Sequence, residues 1–288
     1  CASNVHSVSR GRPHRYFIAL LVLAVCAPGC AETSTPSTVA RQLTATLLQY
    51  RDDIVANRLQ LQITNGDDGP VQVAAVQFEW TGMDSEITDI RLTIGQGQRV
   101  DLPVALQAPR CDIAGLVVQP APAFDDASVT LTLVDGSTRT ALVSDPKGTV
   151  LGVYAAGCER EMIEQQVSID FDQLHEERVD GRPVTAGVLS VRRGLAIGSV
   201  SVLSVADTIV LRPSFPGRAA SSPLLVLPAD QDATEAIIRF DEGRCDAHAV
   251  AEAKQAFRFV VQVDLGDGVA RSYVALPDPT LQEAMLAT

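Results

Sequence analysis

Past residue 40 the chain is dominated by apolar residues at every second position, the spacing of strands that bury one face. "VDLPVAL" puts Val100, Leu102, Val104 and Leu106 on one side, and "TEAIIRF" does the same with Thr234, Ala236, Ile238 and Phe240. In "VQVAAVQFEW" the apolar phase slips by one residue: Val71 and Val73 are followed by Val76, Phe78 and Trp80. "VSVLSVADTI" slips at the same place, with Val200 and Val202 followed by Val205 and Ile209. Such a slip predicts a β-bulge, one extra residue inserted into one strand of a pair. Strands of the first half are predicted near 43–50, 57–64, 70–80, 87–94, 98–106, 127–134 and 138–143. Asp-Gly at 135–136 and 267–268 stands between strand-like runs, a hairpin signal, and "NGDDG" at 65–69 reads the same way. Helical pieces are predicted in "VLGVYAAGCEREM" (150–162), in "AHAVAEAKQA" (247–256), which Asp246 is placed to cap, and in "DPTLQEAMLAT" (278–288).

These runs recur. "PRCD" at 109–112 returns as "GRCD" at 243–246, the strands before each return with them, and the hairpin at 134–146 matches that at 266–279. The spacing between copies drifts by a few residues, as loop insertions make it drift. The chain therefore reads as two copies of one all-β unit, 40–157 and 158–288, the first with a proline-rich loop ("VVQPAPAFDD") where the second has its capped helix. About seven strands per unit, separated by turn residues, resemble the immunoglobulin-like antiparallel β-sandwich. The resemblance implies two tandem immunoglobulin-like domains, each with a short terminal helix. It is one of architecture, since the Cys…Trp…Cys signature is missing.

The stretch "FIALLVLAVCAPGCAETSTPST" (17–38) breaks the alternation. Arg10, Arg12 and Arg15 precede an apolar run from Phe17 to Val25, too short for the roughly 20 residues of a membrane-spanning helix. A basic start, a short apolar core and small residues beyond it describe an export signal. Ala27, Pro28 and Gly29 stand before Cys30, and Ala31–Thr38 forms a small polar tail. This arrangement resembles the lipobox of bacterial lipoproteins, with Ala27 where that motif prefers Leu. The resemblance implies removal of residues 1–29, lipidation of Cys30, and a flexible tether over 30–39 that holds the domains outside the membrane. Cleavage near Gly29 or Ala31, giving a secreted protein, is the alternative. "RCDAHAVAEAK" (244–254) is similar to sequences of uncharacterised actinobacterial lipoproteins, and the choice of arginine over lysine, with lysine only at 147 and 254, fits a GC-rich genome.

The net charge of −12 becomes −15 without the signal, which carries three arginines and no acid. So negative a chain is repelled by nucleic acid and by anionic lipid, which leaves the acyl anchor as its only hold on a membrane. Outside the membrane a disulfide is allowed. Beyond Cys30 three cysteines remain. If strands alternate in direction, Cys111 after the fifth strand and Cys158 after the seventh reach the same pole, and Cys245 lies far from both. Pairing of Cys158 with Cys245, or three free thiols, are the other possibilities.

Little else carries chemistry. "HEERV" at 175–179 lacks the second histidine of a zinc-protease helix, and His175 is expected in a solvated loop. His248 sits two residues past Asp246, where helix capping accounts for both. "GQGQR" (95–99) reads as a turn, Asp52–Asp53 and Asp125–Asp126 as solvated turns, and Trp80 as a core or sheet-edge anchor. No catalytic residue, metal set or cofactor is expected. The expected function is a non-enzymatic, surface-displayed lipoprotein that binds or scaffolds a cell-envelope protein or cell-wall component. The alternatives are an extracytoplasmic hydrolase built on His248 and nearby acids, or a passive spacer in an envelope complex.

Overall fold

The computed structural model describes residues 43–218, 223–243 and 255–286. They are mostly β. The first half runs β1 (Thr44–Leu48), the one-turn helix α1 (Arg51–Val55), β2 (Arg58–Thr64), β3 (Val71–Glu79), β4 (Thr88–Ile94) and β5 (Arg99–Ala105). Then follow the short pair β6 (Ile113–Ala114) and β7 (Val117–Val118), β8 (Ser128–Leu133), β9 (Thr138–Ser144) and the helix α2 (Thr149–Gln166). Each of the seven predicted strands is present within one or two residues of its expected bounds. They form one sheet in the order β4-β3-β8-β9-β1-β2-β5, antiparallel except where β1 meets β9 at two positions. Its outer strands approach each other, with Ser85 bridging to Leu106, so the sheet curls nearly into a barrel. Leu59, Leu61, Ile63, Phe78 and Leu131 fill the interior with no measurable exposure beyond 1%.

The second half comprises β10 (Val167–Val179), β11 (Arg182–Arg193), β12 (Val200–Val205), β13 (Leu211–Ser214), β14 (Leu225–Leu227), β15 (Ala233–Glu242), β16 (Phe259–Asp264), β17 (Ala270–Ala275) and the helix α3 (Pro279–Leu286). Two four-stranded sheets, β10-β11-β15-β13 and β14-β12-β16-β17, share a core of their own. Phe171 and Phe240 from one sheet meet Phe259 from the other, with ring centroids 5.2 to 5.6 Å apart. Tilted and edge-on contacts at this distance are favourable beyond the area they bury. The register of β3 shifts between Val73 and Ala75, and that of β12 between Val202 and Ser204. These are the positions of the two phase slips.

Several readings of the sequence are corrected. Residues 65–69 are not a hairpin. β2 and β3 do not pair, and this turn carries the chain between them while the buried Asn65 amide donates to the carbonyls of Gly69, Ile94 and Gly95. His175 lies within β10 and not in a loop; a bulge between Asp172 and His175 lets the strand run on with the imidazole exposed. Asp53 is not solvated. It is 1% exposed and accepts hydrogen bonds from the Tyr50 N–H (2.9 Å), Arg58 Nε (2.6 Å) and Gln60 Nε2 (2.8 Å). Burial pushes its pKa up, but these bonds and the Arg58 charge outweigh that and hold it below the usual carboxylate value. The predicted helix over 150–162 continues to Gln166, so the expected boundary at 157/158 falls inside α2.

Candidate functional site

Helix α2 is where the two halves meet. Its start is built by "SDPKG": Gly148 takes a left-handed conformation (φ 63°), and the Asp145 carboxylate accepts from the N–H groups of Thr149 (2.7 Å) and Val150 (2.8 Å). These are the donors that the first turn of a helix leaves unpaired. Its end is closed from the other half, where the N–H groups of Gly194 and Leu195 donate to the carbonyls of Gln166 and Gln165. A Cβ on Gly194 would stand 2.6 Å from the Gln165 oxygen, so only glycine fits there. Val150, Tyr154 and Cys158 belong to the core of the first half, and Met162 and Ile163 to that of the second. One helix thus serves two cores.

On the first half, α2 is held by a disulfide between Cys111 and Cys158 (Cα–Cα 5.4 Å). Beside it the Tyr154 hydroxyl donates to the Arg110 carbonyl at 3.1 Å, and a Cβ added at Gly157 would stand 2.8 Å from the Pro109 ring. Trp80 packs edge-on against Tyr154 and Phe124, its indole N–H donating to the Ala123 carbonyl (2.8 Å). This is a buried anchor and not a ligand platform. The cluster pins the proline-rich loop and α2 to the end of β3.

Between α2, the β6–β7 hairpin and β17 lies an open cleft of about 520 Å³, within the ordinary range for ligand sites. Gly115, with φ 63°, makes the tight turn that carries Leu116 and Val118 into one wall, and Pro120 and Ala121 continue it. The helix supplies the exposed Ala155 and Ala156 and the half-buried Glu159. The second half supplies Arg271, only 8% exposed. Its guanidinium donates to both oxygens of Asp267 (2.8 and 2.6 Å), to the Val269 carbonyl (3.2 Å) and, across the junction, to the Leu116 carbonyl (3.3 Å). The hydrogen bonds from Arg271 hold the Asp267 carboxyl at a pKa of about 2. Glu159 has no hydrogen-bond or ion-pair partner among the described residues. Chemically, the cleft has apolar walls, one spent cation and one unspent anion.

A larger groove of about 660 Å³ opens where β1 and β9 part. Its walls are strand edges of a single sheet, and Arg139 and Asp67 already pair at its mouth. Among the described residues, no group of three or more His, Cys, Asp or Glu is placed to hold a metal ion, and no helix is long and apolar enough to cross a membrane.

Of the residues singled out in the sequence, Cys111 and Cys158 come together beside the cleft, whereas Cys30, Cys245 and His248 lie outside the described residues. Sequence reasoning missed Arg271 and the β6–β7 hairpin. The available signals were an arginine on the inward phase of a strand four residues after an aspartate, and "IAGLVV" ahead of the prolines.

No protein-family model and no curated protein matches the chain. Among solved structures, a protein of unknown function from Porphyromonas gingivalis W83 is similar over 82% of this chain and 98% of its own, at 12% identity and a TM-score of 0.20. A likeness at that level carries no inference about fold or function.

Proposed function

We propose that the chain is an extracytoplasmic lipoprotein, anchored through Cys30, whose two immunoglobulin-like modules bind or scaffold a partner in the cell envelope without catalysing a reaction. The module reading is supported by strand order. In each half the pair β8–β9 or β16–β17 lies beside the bulged strand β3 or β12, while β5 or β15 lies beside the second strand of its half. These shared neighbours support reading the bulged strands, the "RCD" strands and the Asp-Gly hairpins as counterparts, although the first half keeps its strands in one sheet and the second divides them between two.

The observation that carries the binding reading is the cleft itself. Two cores are joined by one helix, and the concavity at the join is lined by both halves, so whatever fills it touches a surface that neither half presents alone. A partner of envelope protein or cell-wall chemistry suits a chain of net charge −12 better than nucleic acid does. The test is crosslinking on intact cells with the full chain, with Ala156→Arg to obstruct the cleft and Cys30→Ala to remove the anchor. A partner recovered with the natural chain, lost with Ala156→Arg and reduced with Cys30→Ala is the expected result. Recovery indifferent to Ala156→Arg would remove the cleft from the reading, and recovery of nothing would favour a passive spacer.

A further inference from the structure

We infer that the junction cleft takes a lysine or arginine side chain, presented by an extended apolar segment of the partner, with the aliphatic stem against Ala155, Ala156 and Pro120 and the cationic head on Glu159. This deepens the binding reading above and rests on it.

Arg271 has five N–H donors, and four of them are already committed to Asp267, Val269 and Leu116. Its fork is turned inward and offers nothing bidentate to an incoming anion. Asp267 is likewise consumed by Arg271. Glu159 alone among the charged groups of the cleft has no hydrogen-bonded partner among the described residues, and it sits half-buried on the helix face that forms the floor. The Arg271 pKa is raised chiefly by its hydrogen bonds to Asp267, with Glu159 a lesser influence through its charge and no hydrogen bond between the two. The charged groups of the lining are Glu159 and Arg271, and because Asp267 behind the wall already neutralises Arg271, the Glu159 charge is left over.

Around that charge the surface is apolar. A compact inorganic cation would find one carboxylate and at most the Gln119 amide, short of a full ligand set, so the site suits a cation carried on a hydrocarbon stem. Lysine and arginine have that shape, laying methylenes along apolar surface while the head keeps its polar partner. The net charge of −12 adds a long-range attraction for basic segments and speeds their encounter.

The test uses the full chain with Cys30→Ala and the peptide acetyl-Ala-Leu-Lys-Leu-Ala-amide, with the same peptide carrying Gln or Glu at its centre, measured by calorimetry. The Lys peptide is expected to bind best. Glu159→Gln should weaken it about tenfold, the loss of one charge-assisted contact, and Glu159→Lys should turn the preference toward the Glu peptide. Ala156→Phe, at an exposed helix position, fills the cleft and should abolish binding of all three. Loss of binding in Ala156→Phe with no response to either Glu159 change would overturn the cation assignment and leave the cleft reading standing. Binding unaffected by Ala156→Phe would sink both, and no binding by the Lys peptide would overturn the cation assignment while the crosslinking result decided the other.

Discussion

Removing the Cys111–Cys158 bridge should cost the first half of the fold a large share of its stability. The bridge closes a loop of 47 residues that contains β8, β9 and the first half of α2. In the unfolded chain, closing a loop of this length removes conformational entropy worth about 4 kcal/mol at room temperature. The expected effect of Cys111→Ala with Cys158→Ala is therefore a loss of about 4 kcal/mol, against the 5–15 kcal/mol that roughly bounds the stability of folded domains. The assay has a built-in reporter, because the single tryptophan, Trp80, is 3% exposed and packs 5.4 Å from the ring of Tyr154 on α2. Urea unfolding followed by Trp80 emission should show a lower midpoint in the double variant, and reduction of the unaltered pair should reproduce the shift. A midpoint change worth less than about 1 kcal/mol in both would refute the loop-entropy argument. Thiol titration that finds both cysteines free in the oxidised protein would refute the pairing.

Two further outcomes follow from the charge networks. Asp53→Ala should destabilise by about 3 kcal/mol, because Arg58, Gln60 and the Tyr50 N–H lose a shared buried acceptor, whereas Asp52→Ala at the exposed neighbour should stay within about 0.5 kcal/mol; equal losses in urea unfolding would refute the buried role. Asp267 has its pKa depressed to about 2 in the folded chain, chiefly by Arg271, from a usual 3.8. Its contribution is therefore whole above pH 3.8 and lost as pH falls from there toward 2, so the fall in stability across that window should be smaller in Asp267→Asn than in the natural chain, and parallel pH profiles would refute the linkage.

The strands were legible because alternation is a direct record of which face is buried, and even the bulges left a mark, as a phase slip that puts Val76 and Phe78 back into the core after Val73. Other features depend on partners remote in sequence. Locally only the bond from the Tyr50 N–H separates the buried Asp53 from the exposed Asp52, and the larger difference is made by Arg58 and Gln60 arriving on β2. Asn65-Gly66 has the composition of a hairpin turn, yet β2 finds its partners in β1 and β5 and the turn becomes a corner. The cleft escaped notice because two-residue strands leave no periodicity and because its two sides, Leu116 and Arg271, lie 155 residues apart. Strand order alone brings Cys111 and Cys158 to one pole of the first half, where the structure joins them.

Val150, Tyr154, Cys158 and Met162 follow one another at intervals of four along α2, three of them in one core and the fourth in the next. A helix turns by about 100° and rises 1.5 Å with every residue. One residue inserted between Cys158 and Met162 would therefore swing everything beyond it by more than a quarter of a revolution and carry Arg271 away from Leu116. The shared helix works as a keyed shaft: its residue count sets which of its faces each core receives.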